Sequence, residues 1–391
     1  MNRLTPTIVL TGGGSGGHIT PLLSLARELK AAAPGCQIVY VGHKGDNFDS
    51  FKNRTDDFDF MVFINAGKFR RYHGQNPLSR ILDVKTLALN IRDIFRLPGS
   101  IWQANRVMAK FKPDVMFSKG SFVAVPVGFA AKLRRIPIVT HDSDTVSGLA
   151  NRIVGRWARV HATGMPSKYY GYPESSVKYV GIPVDPRVQR VTPKLQKQAK
   201  KELKIPEDAQ LLLVSGGGNG SQHLNELLLA VAAPLLETNL ALHIIHITGP
   251  RHQDNVNRGY KNLLPKPLQK RVRTIGFAGD FYNLITAADL ILGRAGATTI
   301  AELAVAGKAC IFIPAPFLTG GHQLKNAQTL ADADAAVILD NDVQSDELLA
   351  IINELLNDTS RRFELAKNLF GMAKPDAAKE LSKLILNTVK K

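Results

Sequence analysis

Two glycine-rich stretches carry the residue types best suited to holding an anion. The first, Thr11-Gly12-Gly13-Gly14-Ser15-Gly16-Gly17-His18, closes the β-branched run Thr7–Thr11, and the second, Ser215-Gly216-Gly217-Gly218-Asn219-Gly220-Ser221, follows Leu211–Val214. Leucines recur at helical spacing behind both, at Leu22, Leu25 and Leu29 and again at Leu224, Leu227 and Leu228. A glycine turn between a strand and a helix aims backbone N–H groups and the helix N-terminus at a negative charge. Gly12, Gly14 and Gly17 satisfy G-x-G-x-x-G, yet strand Ile38–Val41 leads into Gly42-His43-Lys44 without the acid that would bind a ribose. Lys44 keeps a phosphorylated dinucleotide open as an alternative. Neither loop ends in the Gly-Lys-Ser/Thr of a nucleoside triphosphatase.

His18 opens the helix behind the first loop. The helix dipole disfavours a cation there, so the neutral imidazole that a general base needs is expected, with capping or packing as the alternative. Asp142-Ser143-Asp144 imitates an Asp-x-Asp metal motif, while no His/Cys cluster has zinc spacing.

These groups need a scaffold. Ile38–Val41, Val115–Phe117 and Ile136–Val139 read as strands separated by helical stretches. The pattern restarts at Leu211–Val214 and continues through His243–Ile247, Val272–Ile275, Leu290–Leu292 and Ala309–Ile313. Strands apolar on both faces that alternate with helices predict parallel sheets covered on both sides, an α/β fold. A chain of 391 residues exceeds what one core supports. The expected division is an N-terminal lobe over 1–185, a proline- and lysine-bearing linker with an exposed helix over 186–208, a second lobe over 209–370 and a terminal helix over 371–391 that folds back on the first lobe.

The 50 Lys+Arg against 33 Asp+Glu leave a formal charge of +17. Such an excess calls for an anionic partner, whether nucleic acid, a lipid surface or a phosphorylated substrate. The excess is local: residues 60–112 hold ten basic residues and only Asp83 and Asp93 as acids. There Lys68, Arg70, Arg71, Arg80, Lys85, Arg92 and Arg96 interleave with Leu78, Ile81, Leu82, Leu87, Leu89, Ile91, Ile94, Phe95, Leu97, Ile101 and Trp102. An anionic membrane surface would meet both kinds of residue at once; an ordinary amphipathic helix is the alternative. Nucleic acid is disfavoured, since no recognition motif accompanies the 7% aromatic content. The longest apolar runs reach only about half the roughly 20 residues of a spanning helix. With only Cys36 and Cys310 and an N-terminus that reads as a first strand, a reducing, cytoplasmic setting is expected.

In this order, several motifs resemble the MurG family of peripheral-membrane glycosyltransferases. They are TGGGSGGHITP (Thr11–Pro21), FSKGSFVAVP (Phe117–Pro126), HDSDTVSGLAN (His141–Asn151), Gly181-Ile182-Pro183-Val184, GGGNGSQHLN (Gly216–Asn225), RAGATTIAE (Arg294–Glu302) and HQLKNA (His322–Ala327). Together they cover nearly the whole chain. The resemblance implies two Rossmann-like lobes facing a cleft, the GT-B architecture. It implies inverting transfer of N-acetylglucosamine from UDP-GlcNAc to the 4-hydroxyl of undecaprenyl-pyrophosphoryl-MurNAc-pentapeptide in peptidoglycan synthesis, at the cytoplasmic face of the membrane. No cofactor is required by that likeness, and a divalent cation such as Mg2+ stays open. Another two-lobed UDP-sugar transferase on a lipid acceptor, the related sugar-nucleotide epimerase and a non-catalytic anion-binding protein are the rival readings.

Residue by residue, the likeness implies Glu302 on the ribose hydroxyls and the backbone at Phe277 and Ala278 on the uracil. Gly218, Asn219, Arg294, Ala297, Thr298 and Thr299 would lie along the diphosphate and ribose, and Gln323 on the sugar. In the first lobe Ser15, Gly16, Gly17 and His18 would reach the donor phosphates and the acceptor. His18, or a carboxylate such as Asp144, would be the base, and the membrane face would hold Arg70, Arg71, Arg80, Lys85, Arg92 and Arg96. The chain departs from the family pattern in four places. Ser15 stands where Thr is usual, and His141-Asp142-Ser143-Asp144 replaces His-Glu-Gln-Asn. Gly218 replaces a common Ser, and Asp185 stands where an arginine is expected near the donor phosphates, with Arg187 the nearest replacement.

Overall fold

A computed structural model describes residues 5–13, 16–46, 56–68, 84–317 and 321–389, without the side chains of His18, Val84 and Lys85. The chain divides into two compact units: Met1–Pro186 with Phe317–His322 and Lys374–Lys391, and Arg187–Pro316 with Gln323–Ala373.

In the first unit the helices are α1 (Gly16–Ala32), α2 (Val84–Phe111), α3 (Ala124–Leu133) and α4 (Leu149–Val154). The strands are β1 (Thr7–Thr11), β2 (Gln37–His43), β3 (Phe60–Ile64), β4 (Val115–Ser118), β5 (Ile138–Asp142), β6 (Val160–Thr163) and β7 (Val177–Tyr179). They form one parallel sheet in the order β3-β2-β1-β4-β5-β6-β7. β1 shows why a continuous apolar run makes a central strand. Ile8 and Leu10 enter a core layer with Leu22 and Leu25 of α1, while Val9 enters the opposite layer with Met108 and Val127.

The second unit holds α5 (Pro193–Glu202), α6 (Gln222–Thr238), α7 (Gln253–Leu263), α8 (Lys266–Gln269), α9 (Phe281–Ala287), α10 (Ala297–Ala306), α11 (His322–Ala331, its first residue grouped with the first unit), α12 (Ser345–Asn357) and α13 (Thr359–Gly371). Its parallel sheet runs β10-β9-β8-β11-β12-β13, from β8 (Gln210–Ser215), β9 (Leu242–Ile247), β10 (Val272–Ile275), β11 (Leu290–Gly293), β12 (Cys310–Phe312) and β13 (Val337–Ile338). Helix α5, expected to be exposed, is anchored to this unit. Lys200 is 5% exposed and pairs with Asp289 at 2.8 Å, because its ammonium finds there the counter-charge and, at Ala209, the carbonyl that offset burial.

Helix α14 (Ala377–Thr388) belongs to the first unit. It packs on α1 and places Leu381 and Ile385 in the layer that holds Ile8, Leu10 and Leu22.

Candidate active site

Both sheets reverse direction of winding after their third strand, which leaves the switch point between β1 and β4 and between β8 and β11. Ligands of open α/β sheets bind at such switch points, beyond the carboxyl ends of the strands. Each glycine loop leaves its sheet there.

In the first unit Thr11 pairs with Ser118 at the ends of β1 and β4, and Lys119 N donates to Thr11 O at 2.9 Å. Gly13 packs against the Asp46 carboxylate so closely that any side chain there would collide with it. Gly16 and Gly17 begin α1; Ser15 and the His18 side chain lie outside the described residues.

The end of β5 carries a dense polar cluster. His141 is fully buried, and its Nε2–H donates to Gly181 O at 2.8 Å. Burial first, and the nearby Lys119 ammonium second, push its pKa down to about 3, so the ring is neutral. Asp142 accepts from Asn151 Nδ2 at 3.1 Å, Gly148 N at 3.2 Å and the Tyr172 hydroxyl at 2.7 Å. The Tyr172 ring lies flat on His161, with centroids 3.8 Å apart. Asp144 bonds His322 Nδ1 at 2.9 Å. Burial works against charge on His322, but the hydrogen bond and the charge of Asp144 outweigh it and raise the pKa. Both carboxylates of the Asp-x-Asp stretch are thus engaged by protein groups, and among the described residues no three metal-ligating side chains gather.

In the second unit Gly293 pairs with Ser215, which brings the turn before α10 beside the glycine loop before α6. Gly218 and Asn219 are exposed on that loop. Gly220, at φ +76°, has room for nothing but hydrogen, since a Cβ would strike the Thr248 carbonyl. Ser221 caps α6 by accepting from Leu224 N at 3.3 Å. Arg294 is 7% exposed; its guanidinium donates to Ser221 Oγ, Ile313 O and Asn341 Oδ1 and so braces both loops. Ala297 is buried, while Thr298, Thr299 and Glu302 are half-buried along α10. Phe277 and Ala278 follow β10, with Phe277 43% exposed. Gln323 is held by Ala315 N, which donates to its Oε1 at 2.9 Å. Arg187 pairs with Asp280 at 3.2 Å, and Asp185 is buried.

Of the basic stretch, Arg70, Arg71 and Arg80 lie outside the described residues, as does the side chain of Lys85. Arg92 and Arg96 share the buried carboxylate of Asp93, at 3.0 and 3.5 Å, and stay half exposed. On the same helix Leu87, Ile91, Ile94, Phe95 and Trp102 are exposed, Phe95 by 80%. Their spacing of three, four and seven places them on one face. Core contact by α2 comes from Ala104, Val107, Met108 and Phe111 nearer its C-terminus.

The sequence motifs contain Lys119, Ser143 and His322 without marking a role for them, and Tyr172 lies outside every motif. The signal available for Lys119 was its place directly behind β4, separated by Ser118 from the apolar run Val115–Phe117, where a cation ends a central strand.

The N-terminal domain of glycosyltransferase family 28 matches residues 8–163, and the C-terminal domain of that family matches residues 211–381. The chain is 31% identical, over 98% of its length and 99% of the relative's, to a UDP-N-acetylglucosamine--N-acetylmuramyl-(pentapeptide) pyrophosphoryl-undecaprenol N-acetylglucosamine transferase of Halothermothrix orenii. A protein of the same description from Natranaerobius thermophilus is 30% identical over 97% of this chain and 98% of its own. Among solved structures, MurG of Acinetobacter baumannii aligns with a TM-score of 0.70 at 26% identity, covering 98% of this chain and 99% of that one.

Proposed function

The chain belongs to the MurG family within glycosyltransferase family 28, and from that premise we infer that it transfers N-acetylglucosamine from UDP-GlcNAc to undecaprenyl-pyrophosphoryl-MurNAc-pentapeptide. The observation that carries this reading is the match of both family domains, in order, over nearly the full chain. Its two doubly wound lobes are the GT-B architecture of sugar-nucleotide transferases.

The second unit is the donor lobe. Glu302 offers a carboxylate for two vicinal ribose hydroxyls, and the turns before α6 and α10 offer N–H groups to the diphosphate. Phe277 and Ala278 take the uracil, and Gln323 the sugar. In the first unit the acceptor's muramyl 4-hydroxyl loses its proton to His18 or Asp144 as its oxygen attacks the anomeric carbon. Configuration inverts, and UDP departs with its growing charge met by the helix ends. The reaction runs without a resident cofactor: both Asp142 and Asp144 are already satisfied by protein partners. Turnover that survives EDTA supports this, and turnover restored only by Mg2+ overturns it.

No helix among the described residues is long and apolar enough to cross a membrane. The exposed stripe on α2, flanked by Arg92 and Arg96, supports docking on an anionic lipid surface at the cytoplasmic face, where the acceptor resides. Nucleic acid has no place in this reading.

Radiolabelled UDP-GlcNAc incubated with the undecaprenyl acceptor tests the function directly. Label entering the lipid phase is the expected result. UDP release without labelled lipid would favour the epimerase or another transferase.

A further inference from the structure

Lys119 stands out as a cation with almost no access to water. It is 3% exposed, whereas lysines are almost never fully buried unless paired. Its stem packs on the first glycine loop, where a Cβ on Gly12 would lie 3.0 Å from its own Cβ. Its Nζ donates to Ser143 Oγ at 2.5 Å, and the charges of Asp144 and Asp142 act on it. A buried ammonium is costlier than an apolar side chain of equal volume, so packing alone gives no reason for lysine here. A serine oxygen that accepts from an ammonium turns its own proton elsewhere, and Ser143 is only half-buried.

We propose that Lys119 is a positioning residue of the acceptor site: it holds the Asp142-Ser143-Asp144 turn against the first glycine loop and offsets the charge of two carboxylates beside the muramyl hydroxyl. This rests on the reading of the first unit as the acceptor lobe. Two carboxylates at the end of β5 repel a substrate that carries a diphosphate. The Lys119 ammonium cancels one of these charges, and its bond to Ser143 Oγ ties down the residue between the two carboxylates.

Among the described residues, the groups facing Lys119 include Asp142 at the end of β5, Ser143 and Asp144 just after it, the neutral His141 on β5, and the backbone of Thr11 and Gly12 at the end of β1. Burial lowers the Lys119 pKa to about 8, against the pull of Asp144 and Asp142. It is charged at neutral pH, and that charge is lost as pH rises through about 8.

The test compares wild type with Lys119→Met, Lys119→Arg and Ser143→Ala in the full chain, following kcat, KM for UDP-GlcNAc and thermal unfolding from pH 6 to 10. Lys119→Met should lose about 10- to 100-fold in kcat with the donor KM within about twofold. The wild-type alkaline fall near pH 8 should be missing from Lys119→Met and displaced upward in Lys119→Arg. Ser143→Ala should keep the alkaline fall with a smaller loss, about 3- to 10-fold. A folded Lys119→Met with wild-type kcat at every pH overturns the proposal, as does a change confined to thermal unfolding. If Lys119→Met fails to fold, the displaced limb of Lys119→Arg decides, and an undisplaced limb overturns it. If wild type releases UDP without labelling the lipid, the acceptor reading falls, and the same variants read on UDP release still decide Lys119.

Discussion

Arg294 reaches Ser221 with two nitrogens, Nη2 at 3.0 Å and Nε at 3.2 Å, so the turn after β11 and the cap of α6 are one hydrogen-bonded unit. The same guanidinium serves Ile313 O and Asn341. Arg294→Met would leave these acceptors without their donor and is expected to cost about 2–4 kcal/mol. UDP affinity should fall with it, because both anion loops lose their brace. Urea unfolding and calorimetric titration with UDP check this; a variant as stable as wild type contradicts the bracing role.

Glu302→Gln tests the ribose contact. Hydrogen bonds to a charged group contribute about 1.5–3 kcal/mol, so KM for UDP-GlcNAc should rise about 10- to 150-fold. A UDP-GlcNAc analogue lacking the ribose hydroxyls should bind wild type and variant alike. Discrimination retained by the variant would move the ribose elsewhere.

His18→Ala and Asp144→Asn separate the two candidate bases. The true base should lose about 100- to 10,000-fold in kcat at saturating substrates, and the other far less. Near-wild-type turnover by either variant removes that residue from the role.

The α2 stripe predicts that apolar contacts outweigh charge in membrane docking. A large side chain contributes about 1.5–3 kcal/mol on full burial, against about 1 kcal/mol for each basic residue near an anionic surface. Phe95→Ser with Ile91→Ser should therefore weaken binding to phosphatidylglycerol vesicles more than Arg92→Glu does. Arg92 is already partly neutralised by Asp93, which reinforces that order. Turnover on a detergent-solubilised acceptor should be unchanged in both variants.

Acid should loosen both units. Burial pushes His141 and His246 down to about 3, so each is neutral when folded and takes a proton when unfolded below about 6.5. Their contribution is present above pH 6.5 and is lost as pH falls toward 3, by at most about 1.4 kcal/mol per pH unit for each ring. His322 has the opposite sign. Its raised pKa gives stability below 6.5 that disappears as pH rises through the folded value. Melting temperatures from pH 8 to 4 should decline, and His246→Gln should flatten the decline in the second unit.

The central strands were legible because parallel strands buried on both faces are written as apolar runs ending in glycine. β3, β6, β7 and β13 were not singled out: they flank the central strands or close a sheet and carry half-buried or short runs. The donor-lobe motif Arg294–Glu302 was legible as a family pattern, but not the use of Arg294. A guanidinium that ties three segments together looks, in one dimension, like one aimed at a phosphate. The contacts of Lys119 and His322 were hidden for the same reason, since their partners stand 24 and 178 residues away. The exposed stripe on α2 shares its spacing with an ordinary core-facing helix, and only tertiary packing separates the two.

Helix α14 sets an order of assembly. Leu381 and Ile385 complete a core layer whose other members begin at Ile8, so on the ribosome that layer stays open until Ile385 has been made. The second unit, by contrast, has all its residues by Ala373. The lobe synthesised first is therefore closed last, and its unfinished apolar face must be kept from aggregation through most of translation.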